Sequence, residues 1–402
     1  MIQTLNTATD RLLADCPTQA IPIAGRPLRT AFVITSMPVG GAETLLVNLI
    51  RGFDRDRIAP ELVCLKELGP LGVSLATEIP SKHSMIRSKY DVTILYRLAK
   101  HFRRHQVDAV ITVGAGDKMF WGRLAAKLAG VPVICSALHS TGWPDGVGCL
   151  NRMLTNFTDG FIAVAQTHGE FLVDFERFPA SKVAVIRNGI DAQRFKPNAR
   201  AREAVRAELG LGPTASLVGI VAALRPEKNH ELFLEVSSRV VSILPDAHFV
   251  IIGEGPERAK IETIIASKSL DSNVRLLGNR HDTPRLLAAL DAFLLTSHNE
   301  ASPVSILEAL ACGVPVVATN VGSIEETVQN DFTGYTVVAG DAEQATKHVL
   351  QLLLDPSHAT SLGHHGRELV QQTGSLESMI EGYQELIERI FASKRQPASA
   401  YR

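Results

Sequence analysis

The chain has 402 residues, more than one hydrophobic core usually serves, so two domains are expected. Its 41 Lys and Arg balance 42 Asp and Glu, which argues against a nucleic-acid partner and leaves a neutral or anionic small-molecule substrate open. Five scattered cysteines (Cys16, Cys64, Cys135, Cys149 and Cys312) form no C-x-x-C pair, which points to a reducing compartment and away from structural zinc.

Residues 1–27 carry Asp10, Arg11 and Asp15 where a secretory signal needs an apolar core, so they read as a loosely ordered extension. No later run approaches the roughly 18 apolar residues of a membrane-spanning helix. A cytoplasmic protein is expected, with peripheral contact at the inner membrane face as an addition. Strands are predicted near 29–35, 61–65, 108–113, 131–136, 160–165 and 182–187, then near 216–223, 247–252, 273–277, 291–296, 314–319 and 334–338. Helical patterns separate them. Continuous Val/Ile/Leu strands in such alternation imply parallel sheets covered on both faces. Two sets imply an α/β protein of two doubly wound, Rossmann-like domains, 28–195 and 196–375. The break is placed within 194–214, where Pro197, Gly210, Gly212 and Pro213 cluster around a short helix over 199–209. A last helix over 376–392 is expected to pack back on the first domain, before a disordered tail over 393–402.

Ligands of open parallel sheets bind beyond the carboxyl ends of the strands, so two facing domains place their site in the cleft between them. After strand 29–35, Gly40 and Gly41 precede a helix whose Leu45, Leu46, Leu49 and Ile50 follow helical spacing. Adjacent glycines admit a close ligand and the helix end favours an anion; a Gly-rich turn without a ligand is the alternative. Residues 82–105 hold Lys82, Arg87, Lys89, Arg97, Lys100, Arg103 and Arg104 against Asp91 alone, with Leu95, Leu98, Ala99 and Phe102 as the buried stripe of a helix. A solvated cationic face is the plain reading, and a dock for anionic lipid headgroups or a phosphorylated acceptor the sharper one. His101 and His105 have metal-ligand spacing, but their cationic neighbours disfavour an ion. His139 ends a strand at the cleft, where a structural histidine is the ordinary expectation. Asn188, Gly189 and Asp191 read as a turn at the domain junction.

Arg225 and Lys228 follow strand 216–223, with Asn229 placed to cap the next helix. Two fixed cations suit the charge that develops on a departing diphosphate; an ion-pair patch with Glu227 and Glu231 is the alternative. No acidic cluster suggests a metal at this site. The stretch 299–313, NEASPVSILEALACG, predicts a helix over 303–312 with Ser302 as N-cap, Pro303 at the first position and Gly313 as stop. Glu300 stands outside its N-terminus and Glu308 leans back toward the same end. Carboxylates accept from hydroxyls and helix N–H groups hold phosphate or sugar oxygens, which together fit a sugar nucleotide. Two solvated glutamates on an ordinary helix are the competing reading.

This stretch resembles the E-x7-E motif of the retaining glycosyltransferases of sequence family 4, whose fold is the two-domain GT-B type. The string GGAE at 40–43 is similar to that family's glycine loop, and Arg225 and Lys228 in R-x-x-E-K to its basic motif, displaced by one position. VIRNGID and VIIGEGP resemble two further segments, so the likeness spans about residues 29–390. It implies that Glu300 and the backbone of Ala301, Ser302, Pro303 and Val304 orient a donor sugar, and that Glu308 holds the ribose. It further implies that Gly40, Gly41, Arg225 and Lys228 face the diphosphate, with His139 near the sugar and Asn279 and Arg280 near the base. EASP stands where the family more often has E-G-F-[PG], which alters the sugar pocket at Ala301 and Ser302. The implied activity is retaining, metal-independent transfer, without a cofactor, from a UDP- or GDP-sugar to a glycan or lipid-linked acceptor in envelope polysaccharide or glycolipid synthesis. A sugar-nucleotide epimerase, a phosphorylase or a non-catalytic nucleotide-sugar-binding subunit are the alternatives.

Overall fold

A computed structural model describes residues 25–395 except 89–90, 115, 140–151 and 213. Of the extension expected over 1–27 and the tail expected over 393–402, the parts up to residue 24 and from 396 lie outside the described residues, as do Cys16, Lys89, Cys149 and Pro213, whereas 393–395 continue the last helix. Strands β1 (Leu28–Ile34), β2 (Ile58–Cys64), β3 (Ser81–Lys82), β4 (Ala109–Val113), β5 (Val133–Ala137), β6 (Gly160–Ala163) and β7 (Val183–Val185) form one sheet in the order β3-β2-β1-β4-β5-β6-β7. Strands β8 (Leu217–Val221), β9 (His248–Ile252), β10 (Val274–Gly278), β11 (Ala292–Leu295), β12 (Val316–Thr319) and β13 (Gly334–Val337) form a second, in the order β10-β9-β8-β11-β12-β13. Every pairing between these strands is parallel, so each sheet is a doubly wound α/β layer. All the expected strands are present; β3, two residues long at the sheet edge, was not foreseen.

The strand order reverses between β1 and β4 in one sheet and between β8 and β11 in the other. Loops leaving the carboxyl ends of such a pair diverge to opposite faces and open a crevice. The crevices receive the Gly40–Gly41 loop after β1 and the Arg225 and Glu300 loops after β8 and β11. Strand interiors are almost wholly apolar and buried, as in β4 and β5, because helices cover both faces. The Ile94–Arg104 helix illustrates the cover: Ile94, Leu98, Ala99 and Phe102 face the sheet at helical spacing, while Leu95 is only partly buried.

The chain passes between the domains twice, side by side. Ile190 donates to Gly374 O at 2.9 Å and Leu376 donates back to Ile190 O at 3.1 Å. Gly189 is pressed so closely on Ser375 O that a Cβ there would collide with it. Ile186 packs in the core of the first domain, whereas Ile190 and Phe195 already belong to that of the second. The crossing therefore lies upstream of the expected boundary at 195/196. The Pro- and Gly-rich stretch is no linker, since Asn198 caps the Ala199–Glu208 helix and Arg202 and Arg206 anchor that helix to Asp291.

After the second crossing, the Leu376–Arg395 helix lies on the first domain. Its Met379, Tyr383, Leu386, Ile387 and Phe391 complete the apolar layer formed by Phe32, Leu46, Ile50 and Phe53. Arg57 pairs with Glu388 at 2.7 Å and Glu381 at 2.8 Å, and Lys394 with Asp159 at 2.6 Å.

Candidate active site

The loops after β8 and β11 are tied to each other by buried hydroxyls and one ion pair. Lys228 Nζ donates to Glu300 Oε1 at 2.5 Å, and Ser297 Oγ donates to the same oxygen at 2.7 Å. Glu300 is 9% exposed, so its carboxylate is withdrawn from water and depends on these donors. The Thr296 hydroxyl donates to Asn229 O at 3.0 Å, His298 N to Glu227 O at 2.8 Å, and Thr319 Oγ1 to Ser297 O at 2.6 Å. Ser323 donates to Ala301 O from beneath. Gly322, at φ +61°, lies directly under Glu300 O, where any Cβ would collide. Sequence reasoning passed over Ser297, Thr319, Gly322 and Ser323; their signal was the run of hydroxyl residues and glycine at the carboxyl ends of neighbouring strands.

Pro226–Lys228 form a 3-10 turn that separates the two cations. Arg225 is exposed and lies 3.9 Å from Glu227, a loose contact that leaves it facing solvent. Asn229, in the left-handed region at φ 47°, caps the His230–Ile243 helix by accepting from Leu232 N. His230 is buried beside this turn, and neither ring nitrogen meets a protein partner among the described residues. Burial, together with the Lys228 charge, pushes its pKa down to about 4, so the imidazole is neutral.

The helix bearing the second glutamate runs Val304–Ala311, with Pro303 in the cap position and extended at ψ 115°. This corrects the expected start: Ser302 makes no side-chain cap, and Pro303 precedes the first turn instead of opening it. The physical reason is the anchor on Ser302, whose carbonyl accepts from Asn188 Nδ2 at 3.0 Å and is thereby committed outside the helix. Asn188, read from sequence as a turn residue, thus fixes the Glu300 loop from the domain junction. Gly313 follows the helix at φ 75°, as its stop position requires. Glu308 retains some exposure, yet the packing round its carboxyl pushes its pKa up to about 7, with Arg194 acting in the opposite sense.

From the first domain, the Gly41–Gly52 helix points its N-terminus at the Val304 helix: a Cβ on Gly41 would lie 3.7 Å from Val304 Cγ2. Two helix ends, each carrying amide groups without intrahelical acceptors, therefore meet across the cleft. Gly40 is extended and its Cα abuts the Glu43 carboxylate, so close approach, not positive φ, is what its lack of a side chain allows. His139 is half-buried beneath this helix, against Leu45, Leu46, Leu49 and Val113. Glu326, in the turn after Ser323, crosses to the first domain. It accepts from Thr167 N at 2.7 Å, Gln166 N at 3.1 Å and Thr167 Oγ1 at 2.7 Å, capping the Gln166–Asp174 helix.

Some expected site residues stand apart. Arg280 is committed to Asp282 at 2.8 Å and Glu208 at 3.0 Å, so only the backbone of 278–280 and exposed Asn279 are left to meet a base. In the basic stretch, Arg97 is held by Met85 O and Asp91, and Arg103 by Leu128 O, leaving Lys82, Lys100 and Arg104 along an open groove.

Two outcomes are expected. Lys228→Ala strands the buried Glu300 carboxylate and should lower unfolding free energy by about 3 kcal/mol, much of it recovered in Lys228→Ala/Glu300→Ala. Urea denaturation of the double-mutant cycle checks this; additive losses would show that the pair is not coupled. For Glu308, the folded chain binds the proton more tightly than the unfolded one, whose value is 4.5. The stability this contributes is complete below about pH 4.5 and lost as pH rises through about 7. Glu308→Gln should thus gain on the unaltered protein between pH 5 and pH 8, on the order of 1–3 kcal/mol. A pH-independent difference would contradict the raised value.

The model of "Glycosyltransferase Family 4" matches residues 39–194, and that of "Glycosyl transferases group 1" matches residues 201–369. The chain is 29% identical over 298 residues to the UDP-Gal:alpha-D-GlcNAc-diphosphoundecaprenol alpha-1,3-galactosyltransferase of Escherichia coli, covering 70% of this chain and 76% of that protein. It is 28% identical over 305 residues to a GDP-mannose-dependent monoacylated alpha-(1-6)-phosphatidylinositol monomannoside mannosyltransferase of Corynebacterium glutamicum, covering 72% and 78%. Among solved structures, Anabaena HepE in complex with UDP-glucose superposes with a TM-score of 0.79 at 20% identity, over 91% of this chain and 100% of that one, which fixes the shared two-domain fold. The chain belongs to glycosyltransferase family 4, with the GT-B fold and both of its domains represented.

Proposed function

We propose that this glycosyltransferase transfers its sugar with retention and without a metal ion, from a UDP- or GDP-sugar to a hydroxyl of a lipid-linked or glycan acceptor. The observation that carries the reading is the Lys228–Glu300 pair at a switch point where two helix N-termini converge. Arg225 and Lys228 would receive the diphosphate, and the first turns of the Gly41 and Val304 helices would add N–H donors. As the diphosphate draws Lys228, the Glu300 carboxylate becomes available to the sugar hydroxyls. The bond from the anomeric carbon to the phosphate oxygen breaks while the acceptor oxygen bonds to the same face. The acceptor proton passes to the departing phosphate oxygen. Glu308 accepts from the ribose hydroxyls, and the backbone at 278–280 borders the base.

Both relatives named above carry nucleotide-sugar donors and lipid-borne acceptors in their names, which supports an acceptor of that class here. No helix among the described residues is long and apolar enough to cross a membrane. We place the enzyme in the cytoplasm, docking on the anionic inner membrane face through Lys82, Lys100 and Arg104, beside exposed Val92 and Tyr96.

Turnover across UDP-, GDP- and ADP-sugars, with and without EDTA, should select one donor and be EDTA-insensitive, and NMR of the product should show the donor's anomeric configuration. Lys228→Ala should lower kcat by about 10²-fold or more. An inverted anomer would refute retention, and EDTA loss restored by Mg²⁺ would refute metal independence. In a second test, the unaltered protein should sediment with phosphatidylglycerol vesicles and Lys100→Glu/Arg104→Glu should not. A native protein left in the supernatant would end the membrane reading.

A further inference from the structure

His101 and His105 stand one turn apart near the end of the Ile94–Arg104 helix, and the fold brings Glu61 of β2 between them. His101 Nε2 lies 3.2 Å from Glu61 Oε1 and His105 Nδ1 3.5 Å from Glu61 Oε2. All three donor groups fall within 4.8 Å of one another, the one such group of three or more His, Cys, Asp or Glu among the described residues. The imidazole rings are 4.1 Å apart and inclined by 32°. In a tetrahedral site with bonds of about 2.0–2.1 Å, neighbouring donor atoms are separated by about 3.3–3.4 Å. Each imidazole nitrogen thus stands near that spacing from one oxygen of Glu61, and the three donor groups lie within 4.8 Å of one another.

We propose that Glu61, His101 and His105 form a binding site for a divalent transition metal ion of the Zn²⁺ type. Two imidazoles and one carboxylate suit Zn²⁺, Co²⁺ or Ni²⁺ and fall short of the oxygen ligands that Mg²⁺ or Ca²⁺ require. Glu61 is 8% exposed, and His101 is half-buried, whereas His105 faces the groove with 45% of its side chain exposed. Ions can therefore enter from one side, where a fourth position stays open.

The cationic neighbours that disfavour an ion in the sequence are partly turned away in the fold. Arg29 donates to His105 O and Gln106 Oε1, and Arg97 is held by Met85 O and Asp91. Lys82, Arg97, Lys100 and Arg104 remain on the groove wall and weaken the site without occupying it. The Glu61 carboxylate, invisible at helical spacing because it comes from another element, supplies the compensating charge. The site lies on the outer flank of the first domain, since Arg29, which holds His105 O, stands near the amino end of β1, away from the cleft. An ion here joins β2 to the covering helix and takes no part in transfer, so the inference does not rest on the donor reading.

The test is calorimetric titration of the full chain, stripped of metal, with ZnCl₂, alongside the visible ligand-field spectrum on adding CoCl₂. One ion should bind per chain and raise the unfolding midpoint. His101→Ala, His105→Ala and Glu61→Gln should each weaken binding by at least about tenfold. His105→Ala is the decisive variant, because an exposed side chain can be truncated while the midpoint of the metal-free protein stays unchanged. No binding at about 100 µM Zn²⁺, roughly 5.5 kcal/mol of affinity, would overturn the proposal, as would binding that His105→Ala leaves intact.

Discussion

A partly buried lysine ammonium and a buried glutamate carboxylate hold the second domain's cleft surface together. The carboxylate does not tolerate that position alone, because desolvation outweighs any single weak contact. The pair persists because β8 and β11 are neighbours in the sheet, so the loops carrying Lys228 and Glu300 leave side by side. Around the pair, Thr296, Ser297, Thr319 and Ser323 hydroxyls take up the loop carbonyls and one carboxylate oxygen, and Gly322 lets the Glu300 backbone settle against β12's exit. The site is therefore rigid where charge must be presented, and its rigidity is paid in buried polar contacts instead of apolar packing.

Across the cleft the contacts are fewer and more polar. Glu326 caps a helix of the first domain, and Asn188 reaches from the junction to the Ser302 carbonyl. Interfaces of this kind between domains permit relative motion, and both contacts lie on the segments that frame Glu300. Opening the cleft would therefore withdraw a carboxylate from a helix end and loosen the loop that presents Ala301 and Ser302. Domain movement and the order of the Glu300 loop are mechanically joined through the short turn between Ser323 and Glu326.

The fold was legible because its signals are local and repeated: apolar runs of strand length, separated by helical spacing, occur in both halves. The loops that gather at the switch points were legible for the same reason, since each follows a strand. What escaped the sequence depends on partners distant in the chain. Glu61 meets His101 and His105 only through tertiary packing, and the commitment of Arg280 to Glu208 needs the loop after β10 to meet the end of the Ala199–Glu208 helix. The boundary was displaced because Pro and Gly also mark capped helix ends, as around Asn198, while the crossing itself lies at the Asn188–Gly189 turn beside Ser375. Ser302 failed as a cap because its carbonyl was claimed by Asn188, a competition no local pattern displays.

The return of the Leu376–Arg395 helix makes the first domain discontinuous along the chain. Its sheet is encoded before residue 190, yet Tyr383, Ile387 and Phe391 must seal the layer over Phe32 and Ile50. During synthesis the second domain is complete first, while the earlier-made half still shows an uncovered apolar face to the cell. The ribosome thus delivers the second domain before the first is finished, and a prematurely ended chain would leave that face open to chaperones and proteases.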